Sequence, residues 1–300
     1  GFGRPGFEYP ACGNTWPLCK PLIEILIMKE WKKDDLLKAL TNSGYLFESE
    51  IANKLSRLGY FVEANTSTLD PITGKSREID IFCEYREFDE RCHRNNVVAA
   101  TRFVFEIKNN DFPLILMTNH DHSPNVSTWE SLKIAETVPE ELDFNKYPGY
   151  FEKMINSNLL SDIYTQYCTF ELKKNGELMA THSESLYSGL NKIVNHCEDL
   201  VYAWNGEERE YVDDFLRNFL YFPVLLLKDH LYELTIINNS PSINKVESSL
   251  LLFSYHYKGK PSIALIQVLT ERYLEQFLLQ QKEIDAGVID SMIDHRKGFA

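Results

Sequence analysis

The chain has 300 residues, of which 44% are hydrophobic and 13% aromatic, and a formal net charge of −13. That length and apolar content suffice for one large domain or two ordinary ones and exclude a disordered chain. The acidity argues against non-specific coating of nucleic acid, which needs Lys and Arg against phosphate; the acidic excess lies after Asn110, however, and Met28 to Asn110 is nearly neutral.

Residues 1–27 are irregular and rich in Gly and Pro, and are read as an N-terminal extension or an added segment. The apolar run from Pro21 to Met28 is too short to span a membrane, and it lacks the basic start and cleavage site of a secretory signal. No other segment reaches transmembrane length, so a soluble, cytoplasmic protein is expected. The six cysteines, Cys12, Cys19, Cys83, Cys92, Cys168 and Cys197, form no CxxC pair, which gives little support to a structural zinc site or a disulfide scaffold.

Trp31 to Leu40 predicts a short polar helix with Leu36, Leu37 and Leu40 on its apolar side, broken at Asn42-Ser43-Gly44. A second helix is expected from about Leu46 to Leu58, with Phe47, Ile51, Leu55 and Leu58 as its buried stripe. Gly59 ends it, and Tyr60-Phe61-Val62 opens a strand. Asp70-Pro-Ile-Thr-Gly74 is a turn signature. From Arg77 to Tyr85 the pattern alternates, with Ile79, Ile81 and Cys83 on one face and Asp80, Phe82 and Glu84 on the other. Thr101 to Lys108 alternates too: Phe103, Phe105 and Ile107 oppose Val104, Glu106 and Lys108. The polar stretch Arg86 to Asn96 reads as the loop of a hairpin.

An apolar run, Phe112–Met117, and a polar loop with His120 and His122 follow. A long helix is predicted from about Ser183 to Trp204, with Leu186, Leu190, Ile193, Val194, Cys197 and Val201 as its stripe. Pro223–Leu227 and Leu231–Ile237 read as a strand pair joined at Lys228-Asp229-His230. Leu250–Tyr257 and Ser262–Leu269 read as another pair, and a helix from Glu271 to about Lys282 ends the ordered part. The late strands carry too much apolar surface to stand alone and are expected to pack on the rest of the chain.

The chemistry concentrates in Arg77-Glu-Ile-Asp-Ile81 and Phe105-Glu-Ile-Lys108. If those strands pair, Asp80 and Glu106 sit side by side, and two carboxylates at a sheet edge make an oxygen site for Mg²⁺ or Mn²⁺. Lys108, on the same face as Glu106, can orient an attacking water and steady charge on a phosphate. Metal-activated water and a polarised phosphoryl oxygen together hydrolyse a phosphodiester. The bland alternative is a surface strand with a chance Glu106–Lys108 ion pair.

This arrangement resembles the restriction-endonuclease-like superfamily, known by the pattern PD-(D/E)xK, over roughly Tyr45 to Met117. Gly44-Tyr-Leu-Phe-Glu-Ser-Glu-Ile-Ala52 looks like the first helix of Mrr-like bacterial members, whose Phe-Glu pair supplies a further carboxylate. Glu48 matches that position, with Glu50 as the fallback. Leu69 to Ile81 is similar to the segment leading into their motif strand, with Ile79 in place of the family's Pro. The resemblance implies an α/β (α+β) fold: a restriction-endonuclease-like core with a mixed central sheet flanked by helices, over residues 28–120, and a C-terminal part, 121–300, packed on it or extending it. It implies a Mg²⁺-dependent deoxyribonuclease, with a place in bacterial or phage-related DNA defence. The catalytic set is then Asp80, Glu106, Lys108 and Glu48, with the metal at Asp80, Glu106 and Ile107.

Lys75, Arg77, Lys54 and Arg57 are candidates for contact with substrate phosphate, against the alternative of ordinary solvated charge. The substrate is read as DNA with RNA open, and a partner protein or a homodimer as its means of delivery. The competing reading is an inactive nuclease-like module that binds nucleic acid or a protein. The weaker candidates keep bland readings. His120-x-His122 lies in a polar loop, Cys197 lies in a helix stripe, Cys92-His93 lacks a partner at metal-ligand spacing, and Glu78 and Glu84 are expected to face solvent or to adjoin a loop.

Overall fold

A computed structural model describes residues 31–69, 74, 76–85, 93–120, 135–140, 142, 147, 149–157, 163–206 and 215–296. The chain divides into two compact units, Gly1–Asn42 and Ser43–Ala300. The polar helix of the first unit, α1 (Lys33–Ser43), buries none of its residues, and Leu36, Leu37 and Leu40 are each more than 40% exposed.

The second unit opens with α2 (Tyr45–Arg57), which starts at Gly44 in the left-handed region, φ 86°, and buries Phe47, Ile51 and Leu55. Next come β1 (Tyr60–Leu69), β2 (Ser76–Tyr85), the two-residue β3 (His93–Arg94) and β4 (Val97–Lys108). Strands β5 (Leu114–His120) and β6 (Ala135–Thr137) lead to the short helix α3 (Gly149–Asn156), and β7 (Ile163–Leu172) and β8 (Leu178–Thr181) to the long helix α4 (Glu184–Gly206). The last stretch is β9 (Leu216–Leu227), β10 (Leu231–Ile237), β11 (Ser240–Lys245), β12 (Ser248–Tyr257), β13 (Lys260–Thr270) and, after one 3₁₀ turn, α5 (Leu274–His295). The final helix thus runs well past the Lys282 expected from the sequence.

The strands form one large mixed sheet in the order β1-β2-β4-β9-β13-β12-β7-β5-β10-β11, with β3, β6 and β8 on its flanks. Antiparallel β2 and β4 are the hairpin that the motif required. Beyond it β4 runs parallel to β9 over their whole length, from Val97↔Leu216 to Lys108↔Leu227, and β9 runs parallel to β13. The near-continuous apolar run of β9 follows from this place: a central parallel strand is covered on both faces. Pro223, which has no N–H to give, falls between the stretch paired with β6 and the stretch paired with β13.

Two strands expected to be partners lie apart in the sheet. Leu216–Leu227 and Leu231–Ile237 are both strands, but they do not pair with each other. β9 lies between β4 and β13, while β10 lies between β5 and β11. The three-residue link Lys228–His230 looks like a hairpin turn, yet His230 adopts φ 64° and the chain crosses to another part of the sheet. The expected strands Leu250–Tyr257 and Ser262–Leu269 do pair, as β12 and β13, joined through Lys258 and Gly259, both with φ near 50–80°, as a tight primed turn demands.

The sheet separates two apolar layers. On one face lie Phe47, Ile51 and Leu55 of α2, Tyr150 and Met154 of α3 and Leu274 to Met292 of α5, over Phe103, Phe105 and Ile107 of β4. On the other lie Leu186, Leu190, Ile193, Val194 and Cys197 of α4, over Val98, Ala100 and Val104. The alternation of β4 holds along the strand, and the architecture is α/β, a mixed sheet flanked by helices on both faces. No helix among the described residues is long and apolar enough to cross a membrane.

Candidate active site

The site forms where β2 leaves β4. The ladder runs from Glu84↔Arg102 to Ile81↔Phe105 and stops. At the next position the Asp80 carboxylate takes over: its Oδ2 accepts the main-chain N–H of Ile107 at 2.8 Å. A side chain thus satisfies a strand N–H that the sheet leaves unpaired. On the far side of β2, Ala64 pairs with Ile81 and Thr66 with Ile79, while Asn65, which falls opposite Asp80, has φ 56°.

This local break changes the faces of β2. Ile81 and Cys83 pack in the layer of α2 and α5, but Ile79 packs in the layer of α4. The expectation that Ile79, Ile81 and Cys83 share a face is therefore wrong at Ile79, because strict alternation presumes an unbroken pleat.

Asp80 and Glu106 converge as the motif predicts, and Lys108 joins them, with its Nζ 2.6 Å from Glu106 Oε1. Glu106 is 3% exposed, a carboxylate under a helix. That helix is α4, and its fit depends on Gly189: a Cβ there would collide with Glu106 Oε1. Glycine in a helix interior costs about 1 kcal/mol relative to alanine. Here it lets the helix backbone lie against the acid.

One turn beyond Gly189 is a residue the sequence reading missed. Lys192 Nζ lies 2.6 Å from Glu106 Oε2 and 3.1 Å from Asp80 Oδ1, and donates to the Glu78 carbonyl at 2.7 Å. Its hydrogen bonds go to the Glu78 carbonyl and to Asp80 Oδ1, while Glu106 Oε2 meets it as an ion pair. Burial alone would push the Lys192 amine down, but Glu106 and Asp80 outweigh it and hold it above its ordinary value, so it is charged. The faint signal was a lysine at i+3 from a glycine, both flanking an apolar stripe.

Glu48 is half-buried on α2. Burial, then the charge of Asp80, raises its carboxyl; Lys108 opposes this, Glu106 adds to it, and Lys192 opposes again. Glu48 therefore shares the field of the motif residues, whereas Glu50 is exposed. Asp80 is raised by burial and by Glu106, against Lys192 and the Ile107 N–H. Ile107 can offer a ligand only from its main chain, since its side chain is a hydrocarbon, packed in the opposite layer.

The candidate phosphate contacts separate. Arg77 lies with Thr68 and Leu69 on one wall of a narrow cleft of about 10 Å³, whose other wall is Asn191, Lys192 and Asn195 of α4. Lys54 instead pairs with Glu275 at 3.1 Å, and Arg57 bonds back to the Asn53 carbonyl. Lys75 and His122 lie outside the described residues, as do Cys12, Cys19, Cys92 and the turn from Asp70 to Thr73; His120 ends β5. Cys83 and Cys197 are buried and free.

Glu84 does not simply face solvent. It forms an ion pair with Arg102, whose guanidinium stacks 3.7 Å from the Phe219 ring and donates to the Tyr221 hydroxyl. It is a packing device beneath α4.

Among the described residues no group of three or more His, Cys, Asp or Glu side chains is placed to hold a metal ion. An ion at this site would therefore draw its protein carboxylates from Asp80 and Glu106 alone. The two do point at one cation, the Lys192 ammonium, and in donor chemistry they suit a hard divalent ion. No family model, curated protein or solved structure matches the chain.

Proposed function

We propose that the chain is a divalent-metal-dependent phosphodiester hydrolase of the restriction-endonuclease-like type, acting on DNA. The observation that carries this reading is the convergence of Asp80 and Glu106 on a single cation, with a second, partly exposed lysine, Lys108, against the same carboxylate. Mg²⁺ or Mn²⁺ bound by Asp80, Glu106 and a main-chain oxygen at Ile107 would supply a polarised phosphoryl oxygen and an activated water. The chain's own groups then have distinct tasks. Lys108, 35% exposed at its side chain, reaches solvent and steadies charge on the phosphate. Arg77 meets the backbone at the cleft wall. Glu48, its carboxyl raised, accepts a proton.

A second reading has its own support. If Lys192 keeps its place between Asp80 and Glu106, no ion can enter, and the protein is a nuclease-like module that binds nucleic acid or a protein without cutting it.

The two readings part in one experiment. Purified protein is incubated with plasmid, linear and single-stranded DNA and with RNA, in Mg²⁺, Mn²⁺ or EDTA. The hydrolase reading expects cleavage that EDTA abolishes and that Asp80→Asn and Glu106→Gln each reduce by about a thousandfold or more, the several kcal/mol a bound metal provides. Salt-sensitive binding without cleavage in any metal supports the second reading. With a net charge of −13, naked DNA is expected to bind weakly and to release as salt rises.

A further inference from the structure

Lys192 stands at the point a divalent ion would occupy. Its ammonium touches both carboxylates and is tied to the Glu78 carbonyl besides. The close seat of α4 that brings it there is built in at Gly189, where any side chain would strike Glu106. Two acids meeting in a largely dehydrated site repel each other, and a single positive charge between them removes that cost. A doubly charged ion at the same point attracts both acids more strongly, and the two cations repel. There is also somewhere for the amine to go: the narrow cleft beside it holds about 10 Å³ of water-sized space, the size of one ammonium group, between Arg77 and the polar groups of Ser188, Asn191 and Asn195.

Resting on the hydrolase reading, we propose that Lys192 is a built-in competitor for the metal, a latch that holds Asp80 and Glu106 together without an ion and swings into the neighbouring cleft when Mg²⁺ or Mn²⁺ binds. The metal-free site is then pre-assembled and locked, and the ion's apparent affinity is lowered by the work of displacing the amine.

The test uses the full chain and Mn²⁺ as the probe. Lys192→Gln should bind Mn²⁺ at least tenfold more tightly than the wild type in a calorimetric titration, and Mn²⁺ should raise its melting temperature by more. Lys192→Arg, which keeps the charge, should bind like the wild type. In the wild type, Mn²⁺ should speed acylation of Lys192 by a lysine-directed reagent, read by peptide mass spectrometry; this holds the proposal to account even if Lys192→Gln does not fold. Equal or weaker Mn²⁺ binding by a folded Lys192→Gln overturns the latch, as does Mn²⁺ binding that leaves the acylation of Lys192 unchanged, and so does failure of both proteins to bind Mn²⁺. In the first two of these cases the hydrolase reading still stands if metal-dependent cleavage persists and Asp80→Asn abolishes it. Tight Mn²⁺ binding by Lys192→Gln without cleavage keeps the latch and rejects the hydrolase.

Discussion

Strand β4 runs between buried acids in two different kinds of company, one on each face of the sheet. On the α4 side, Glu106 meets two lysines, and Asp80 shares one of them. On the α5 side, the fully buried Asp285 meets the Thr101 N–H and hydroxyl, with the Tyr150 hydroxyl donating to it at 2.8 Å and Gln281 donating to Thr101. Burial raises the Asp285 carboxyl to about 7, hydrogen bonds from Thr101 and Tyr150 being too weak to hold it down. Glu136, also buried and raised, accepts from Asn218 and from the Tyr150 N–H. An acid set among cations can exchange one cation for another. An acid set among hydroxyls and amides ties helix to sheet and has no charge to spend on chemistry.

Glu106→Gln should produce the largest effect. It strips one partner from a buried ion-pair cluster and should cost about 3 kcal/mol in a denaturant titration at neutral pH. A loss below a few tenths would mean that the lysines are solvated and the cluster is no unit. Gly189→Ala comes next: the added methyl has to push Glu106 or α4 aside, so about 1–3 kcal/mol of stability should go despite the better helix propensity. Ala at a helix position facing solvent would be gained instead, so a stabilised variant would displace α4 from Glu106.

Asp285→Asn probes the other face. A carboxyl whose folded value lies near 7, above its unfolded 3.8, binds more protons in the fold between those values. Its contribution is fully present below about 4 and is lost as pH rises through 7, on the order of a few kcal/mol in all. The variant should flatten that part of the stability–pH curve, measured by melts from pH 4 to 8; an unchanged slope would assign it to other groups. The smallest effect is expected from Glu48→Gln. The Glu48 carboxyl is raised, so its charge disfavours the fold at neutral pH, and neutralising it should add less than 1 kcal/mol because the group is partly solvated. Glu50→Gln should be silent. In metal titrations Glu48→Gln should also lose more than Glu50→Gln; the reverse order would move the role to Glu50.

Much of this site can be read in the chain because it depends on nearest neighbours. The alternation of Phe103, Val104, Phe105, Glu106 and Ile107 needs only a strand, and Phe47, Ile51 and Leu55 need only a helix. What stays hidden depends on distant partners. Ile79 changes face because the β1–β2 ladder breaks between Asn65 and Asp80, and nothing in Glu-Ile-Asp-Ile announces the break. Lys192 looks like any charged residue beside an apolar stripe until α4 is laid over Glu106. β9 and β10 look like a hairpin because periodicity gives strands and not their neighbours. The short link between them is a common hairpin length, and only the parallel register of β9 with β4 overrides it.

That register also orders events as the chain folds. Leu216–Leu227 must find Val97–Lys108 across more than a hundred intervening residues, and parallel pairing at such range carries a heavy loop-closure cost. During synthesis Asp80, Glu106 and Lys108 all leave the ribosome long before β9, and Lys192 also precedes it. Until β9 arrives, β4 has an open edge on the side away from β2, and Glu106 has no finished strand beneath it. A nascent chain therefore carries every residue of the motif with no assembled site, and its open β4 edge is the place where misassembly with another chain would begin.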